Sequence, residues 1–252
     1  MIKEILKNID NEITFFSEKN GFDKKEFVIA IEQSYNNSKK IQTAFPNTIS
    51  STILTCAELG LIPNNHSDHC LMYSEHGICK FYLQYKGLIH LMYRTMGVTH
   101  IEANVINKND FFEYESSPTV KITHRPNILD SGQTIGVYSK VTHENGQTFA
   151  EVIPIKVLND IQKISKSRFW DSKNDPNQWM KKKTAIKQSA KLLPPSNVMS
   201  LALKQDDLSE GGKAVYIEKG EVVEAKKNEF AQSEQKRKSD ALLCEAINKL
   251  KK

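Results

Sequence analysis

Apolar residues at Ile2, Ile5, Leu6, Ile9, Ile13 and Phe16 recur at helical spacing with polar residues opposite, which predicts an amphipathic helix over residues 1–17. Asn20-Gly21 ends it, and Asp23 is placed to cap a second helix carrying Phe27, Ile31 and Tyr35. A third helix is entered after Pro46, with Asn47 or Thr48 as its cap. It carries Ile49, Ile53, Leu54, Ala57 and Leu61 and stops near Gly60 and Pro63. The period then changes. Cys70–Tyr73 and Cys79–Tyr85 are β-prone runs around the loop Ser74–Gly77, which predicts a hairpin.

Gly87–Met96 reads as helix again, and strand candidates follow at 101–106, 111–114, 119–124, 134–142 and 148–155. Asn145-Gly146, between the last two, suits the positive φ angles of a type I′ turn. Beyond Pro154 the helical period returns with Val157, Leu158, Ile161 and Ile164, followed by a polar loop over Ser165–Asn177 and a helix over Gln178–Leu192. In that helix Trp179, Ile186, Ala190 and Leu193 share a face and are expected to be core, with Lys183, Lys187 and Lys191 in a row along its flank. The fold class is therefore α+β: N-terminal helices, a central antiparallel β-rich core with packed helices, then a tail. Pro194-Pro195 is expected to end the globular part, 196–239 to be a flexible linker, and 240–252 to form a short helix through Leu242, Leu243, Ala246, Ile247 and Leu250. A lone helix of that length is marginal in water, so it is expected to dock on this protein, another copy or a partner.

Composition changes this picture little. At 252 residues, 39% hydrophobic and 26% charged, the chain is an ordinary globular one. It has no apolar run near the roughly 18 residues of a membrane span, and its N-terminus is charged throughout, so a cytoplasmic location is expected and no membrane partner. Four cysteines without a CxxC pair fit a reducing compartment. His66, His69, Cys70, His76 and Cys79 crowd one window, but hairpin residues alternate between faces and the spacing matches no zinc module, so no metal is expected.

Charge changes it more. Residues 1–155 hold 14 Lys/Arg against 17 Asp/Glu, whereas 156–191 hold 10 against 3. A local excess of this size would repel itself without a polyanion, and is the footprint of a phosphate-binding surface. The same stretch contains Phe169, Trp170 and Trp179, and aromatic rings beside cations are what single-strand binders use to stack bases. Catalytic signatures are missing: there is no GxxxxGK[ST], GxGxxG, HExxH or GxSxG, so no ATP site, cofactor or enzymatic centre is expected. Asp110, Glu113 and Glu115 form the one compact acidic set among the strands. A metal-dependent nuclease built on them is the alternative class, against solvated acids around a turn, and a structural or adaptor protein is the third.

Several of these residues fall in the order of a known family. Ala57–Pro63, Leu83-Gln-Tyr-Lys-Gly-Leu-Ile89 with Arg94 and Gly97, Asp110-Phe111, His124-Arg-Pro126, Tyr138, and Trp179-Met-Lys-Lys-Lys-Thr184 running to Lys191–Pro194 together resemble the RecT family of phage and prophage recombinases, single-strand annealing proteins grouped with Redβ. The resemblance implies that 1–195 is an annealing domain that binds single-stranded DNA and the annealed duplex and assembles into rings or helical filaments. It also implies work without ATP beside a phage exonuclease and the host single-strand binding protein. Mapped onto this chain, Lys166, Arg168, Lys181, Lys183, Lys187 and Lys191 are expected as groove cations, Lys86, Arg94, Lys121 and Arg125 as further phosphate contacts, and Tyr85 and Trp170 as stacking or wedging residues. The Cys70–Tyr85 hairpin is expected either to insert against the strand or to serve a protomer interface.

Overall fold

The computed structural model describes residues 1–63, 68–117, 119–165, 170–171, 173–194 and 196–209, with only the backbone of 209, and the backbone of 215–218 and 221–224. The first predicted helix is two: α1 (Ile2–Asn8) and α2 (Asp10–Asn20), bent at Ile9, with Ile5, Leu6, Ile9 and Ile13 buried on one continuous face. Gly21 closes α2 in the left-handed conformation, as Asn20-Gly21 predicted. Asp23 caps α3 (Lys24–Asn36) by accepting the Glu26 amide at 2.8 Å. A single turn, α4 (Lys39–Gln42), intervenes before α5 (Pro46–Leu59). The cap of α5 is Phe45 with Pro46 at the first helical position, not Asn47 or Thr48. The Thr48 hydroxyl instead donates to Phe45 O and accepts the Cys79 amide, tying the helix to the hairpin.

That hairpin is β1 (Cys70–Glu75) paired with β2 (Ile78–Leu83), turning through His76 and Gly77, both at positive φ. Cys70 and Cys79 are buried beside α5, among the free cysteines of the core. Among the described residues no group of His, Cys, Asp or Glu is arranged to hold a metal; His66 lies outside them. The next helix, α6 (Tyr85–Thr95), starts directly after β2 because Gly87 lets it approach the strand entry. A Cβ on Gly87 would stand 2.1 Å from the His69 carbonyl oxygen, so only glycine fits.

The main sheet is antiparallel in the order β3 (Val98–Asn107), β6 (Thr134–His143), β7 (Thr148–Pro154). A separate hairpin, β4 (Phe111–Glu115) with β5 (Lys121–Arg125), hangs between β3 and β6. At Asn145-Gly146 only Gly146 takes a positive φ, so the connection is a turn with a glycine bulge rather than a type I′ pair. Helix α7 (Ile155–Ile164) follows β7 without a loop, and α8 (Trp179–Ala190) lies across β6.

The chain does not leave the folded body at Pro194-Pro195. Helix α9 (Asn197–Ser209) places Met199 and Ala202 in the same core as Ile49, Leu83 and Leu88, and a short pair, β8 (Val215–Glu218) and β9 (Glu221–Glu224), runs beside α7. The proline pair before it and the polar stretch from 205 onward hid this helix, whose buried stripe is only a few residues wide. The 240–252 helix expectation lies outside the described residues. Two apolar cores result. The larger gathers α1–α6, the hairpin and α9; the smaller joins Val137, Ile153, Val157, Leu158, Ile161 and Trp170. Helix α8 is the wall between them, giving Ile186 and Ala190 to one and Met180 and Ala185 to the other. No helix among the described residues is long and apolar enough to cross a membrane.

Candidate nucleic-acid interface

Because both sides of α8 are committed to cores, the lysines of its middle turns have little surface to occupy. Lys183 is 3% exposed and its Nζ lies 2.7 Å from Asp206 Oδ1; Lys187 reaches Asp206 Oδ2 at 2.8 Å and also Asp207. Asp206 is itself fully buried. Burial raises its pKa, but the two ammonium groups outweigh that and hold the carboxyl below its usual range. Two of the three lysines expected to face phosphates therefore face α9, and two of the seven excess charges of 156–191 are met by carboxylates further along the chain. Lys191, at the end of the helix, is exposed, in the field of Asp207 and Glu151.

The first turn of α8 differs. Trp179, expected as core, is 36% exposed and stacks on Tyr85 at the start of α6, with ring centroids 4.2 Å apart and planes 12° from parallel. Lys182 Nζ sits 4.3 Å from the centroid of the Trp179 ring, and Lys181 donates to Gln178 Oε1 at 2.8 Å. Burial lowers the pKa of both lysines, opposed by Asp175. Lys86 follows Tyr85 and is exposed, 2.8 Å from Asp68. Two helix N-termini thus meet at one aromatic pair, with Lys86, Lys181 and Lys182 around it, and their dipoles add to the positive potential there. Trp170 is the reverse case: expected to stack on a strand, it is 8% exposed in the smaller core. The roles of the two tryptophans are exchanged because Gln178, at φ 56°, turns the chain just before Trp179 and rotates its ring out of the stripe that spacing assigned to it.

The remaining predicted cations are scattered. Arg94 donates to the carbonyls of Leu59 and Gly60 and so closes the C-terminus of α5; its guanidinium leans on the glycine face. Lys121 is exposed, 3.8 Å from Glu115, and Arg125 lies over the Phe111 ring at 5.4 Å; both belong to the β4–β5 hairpin. Lys166 and Arg168 lie outside the described residues.

The acidic set does not converge. Asp110 accepts the amides of Asn107 at 2.8 Å and Asn127 at 2.9 Å and pairs with His124 Nε2 at 3.1 Å, its side chain fully enclosed. His124 packs edge-on against Phe112 and Tyr138. Burial and the neighbouring Glu102 push the Tyr138 phenol up to about 12. Asp110, His124 and Tyr138, all within the resembling motifs, thus pin the β4–β5 hairpin and the loop after it to the sheet. Asp110 is thus enclosed and held by protein donors, whereas Glu113 and Glu115 are exposed.

Sequence reasoning missed the stacking position of Trp179, the part of Lys182, and the pairing of α8 with α9. The adjacent acids Asp206-Asp207, in a stretch whose other charge is Lys204, were the one available signal for the last.

The described residues form an α+β body with lysines beside a partly exposed aromatic pair. The model of the RecT family matches residues 25–239, and the chain belongs to that family. It is similar to the protein named Protein RecT from Escherichia coli (strain K12), 28% identical over 169 residues, which cover 62% of this chain and 61% of that protein. The chain thus matches about three fifths of the length of that relative. Family membership bears out the resemblance read from the sequence. The family match also runs past Pro195, through α9 and the β8–β9 pair.

Proposed function

We propose that this chain binds single-stranded DNA across the corner formed by the N-termini of α6 and α8 and anneals complementary strands without nucleotide hydrolysis. The observation that carries this reading is the Tyr85–Trp179 stack with Lys182 above it and Lys86 and Lys181 beside it. Rings of this kind accept any base on their faces, and ammonium groups position phosphates without reading sequence, which joining of arbitrary complementary strands requires. Lys191, Lys121 and Arg125 extend the cationic surface. The reading includes self-assembly into rings or helical filaments, and exchange of strands with an exonuclease and a host single-strand binding protein.

The test is the rate at which two complementary dye-labelled oligonucleotides join, with neither ATP nor magnesium. Wild-type protein is expected to accelerate joining, and Tyr85→Ala/Trp179→Ala to lose most of the acceleration while remaining folded by circular dichroism. An unchanged rate in the folded double variant would remove this corner from the interface, and no acceleration by the wild type would remove the function.

A further inference from the structure

Behind the Tyr85–Trp179 pair the surface opens inward. A cavity of about 220 Å³ is lined by Tyr82, Gln84, Asn174, Asp175, Met180 and Lys183, with the two stacked rings at its mouth. Its floor is the Tyr82 ring and the Met180 thioether, joined by a Tyr82 hydroxyl contact to Met180 Sδ at 3.6 Å, and Lys183 Nζ lies 4.6 Å from the Tyr82 centroid. Its walls carry two carboxamides, Gln84 and Asn174. Gln84 Oε1 is buried yet accepts no hydrogen bond among the described residues. A buried acceptor left in this state is disfavoured unless something donates to it.

We infer that this cavity is a nucleobase pocket, into which one base of a bound single strand turns out of its row, stacking on the aromatic rings of the lining with its polar edge toward the Gln84 carboxamide. The inference rests on the DNA-binding reading above and adds to it a seat for a base, distinct from the outer ring faces. Three features favour a base over other ligands. At ~30 Å³ per water the volume takes roughly seven waters, the size of one heterocycle and not of a peptide. The lining sets the flat rings of Tyr82, Tyr85 and Trp179 and the Met180 thioether beside polar groups that can meet a base edge. Lys182 sits over the ring of Trp179, itself a lining residue, with Lys181 beside it in sequence, which puts ammonium groups next to the cavity for a phosphate chain to meet. Every natural base presents an edge N–H or amino group except where a pairing partner already uses it. The pocket therefore selects unpaired bases and not sequence, and a base that pairs with an incoming strand leaves it.

The test compares the affinity of the full chain for a thymidine oligonucleotide with that for the same backbone carrying abasic sites. Wild type is expected to bind the abasic strand at least tenfold more weakly. Gln84→Leu is expected to weaken binding of the base-bearing strand about threefold to tenfold and leave the abasic strand unchanged. Asn174→Phe, at an exposed position on the rim, should close the pocket and produce the same selective loss, so the test survives if Gln84→Leu fails to fold. If both folded variants bind both strands as the wild type does, or weaken both equally, the pocket holds no base although the DNA-binding reading stands. If Trp179→Ala alone erases the difference between strands, bases sit on the outer face and the pocket is overturned. If the wild type binds neither strand at low salt, the DNA-binding reading has failed and the pocket with it.

Discussion

The first turn of α8 and its middle turns carry the same residue type to different ends. Lys182 ends over an indole ring at the protein surface, whereas Lys183, its neighbour in sequence, ends 2.7 Å from a buried carboxylate. One helical step of about 100° separates them, and that is enough to cross from a face open to solvent to one closed by α9. A basic stretch is therefore not a basic surface. Its charges are divided by helical phase into those that meet internal acids, which serve the fold, and those that remain for an external polyanion.

The largest effect on this contrast is expected at Asp206. Asp206→Ala should remove the buried carboxylate that Lys183 and Lys187 share and lower unfolding stability by about 3–5 kcal/mol, read from the denaturant midpoint. Replacing both partners, Lys183→Met with Asp206→Leu, should recover most of that deficit. The same pair sets an acid limit. Because the folded pKa of Asp206 lies below its unfolded value, its contribution is complete above the unfolded value, near 4, and disappears as pH falls through the folded one. Acid unfolding of the wild type should thus lie at higher pH than that of the double replacement.

A smaller effect is expected at the open turn. Trp179→Ala should lower affinity for a single-stranded oligonucleotide by about 1–3 kcal/mol while changing the denaturant midpoint little, since the ring is partly exposed. A fall in stability with unchanged affinity would reverse the assignment of the two regions. The smallest effect concerns the salt dependence of binding. Lys181→Ala/Lys182→Ala should reduce the slope of log affinity against log salt by roughly one for each phosphate that the variant no longer neutralises. An unchanged slope would mean that their charges are spent within the protein, as those of Lys183 and Lys187 are.

How much of this was legible in the sequence follows from how local each feature is. Caps and turns such as Asp23 and Gly21 were readable because their causes lie within a few residues. So were the strands of the main sheet, as β-prone runs between turn residues. The division of the lysines was not, because it depends on α9, more than a dozen residues downstream, and helical phase alone cannot say which of two flanks is covered. The exchange of the tryptophans had a similar cause. Trp179 shares the phase of Ile186 and Ala190, but it stands at the helix entrance, where the turn at Gln178 and the Tyr85 ring decide its position. Arg94, His124 and Asp110 were found by resemblance as places that matter, and the structure gives them a reason in capping and bracing.

Gly87 restricts variation more tightly than a turn glycine does. Its constraint comes from a carbonyl oxygen 2.1 Å from where a Cβ would stand and not from backbone dihedrals, whereas Gly146 has open space around it and only a positive φ to satisfy. A saturation library at Gly146 should return glycine together with asparagine and aspartate. One at position 87 should return a single amino acid, because no choice of side chain, however tolerant its backbone, can occupy the space that β1 and α6 have already closed.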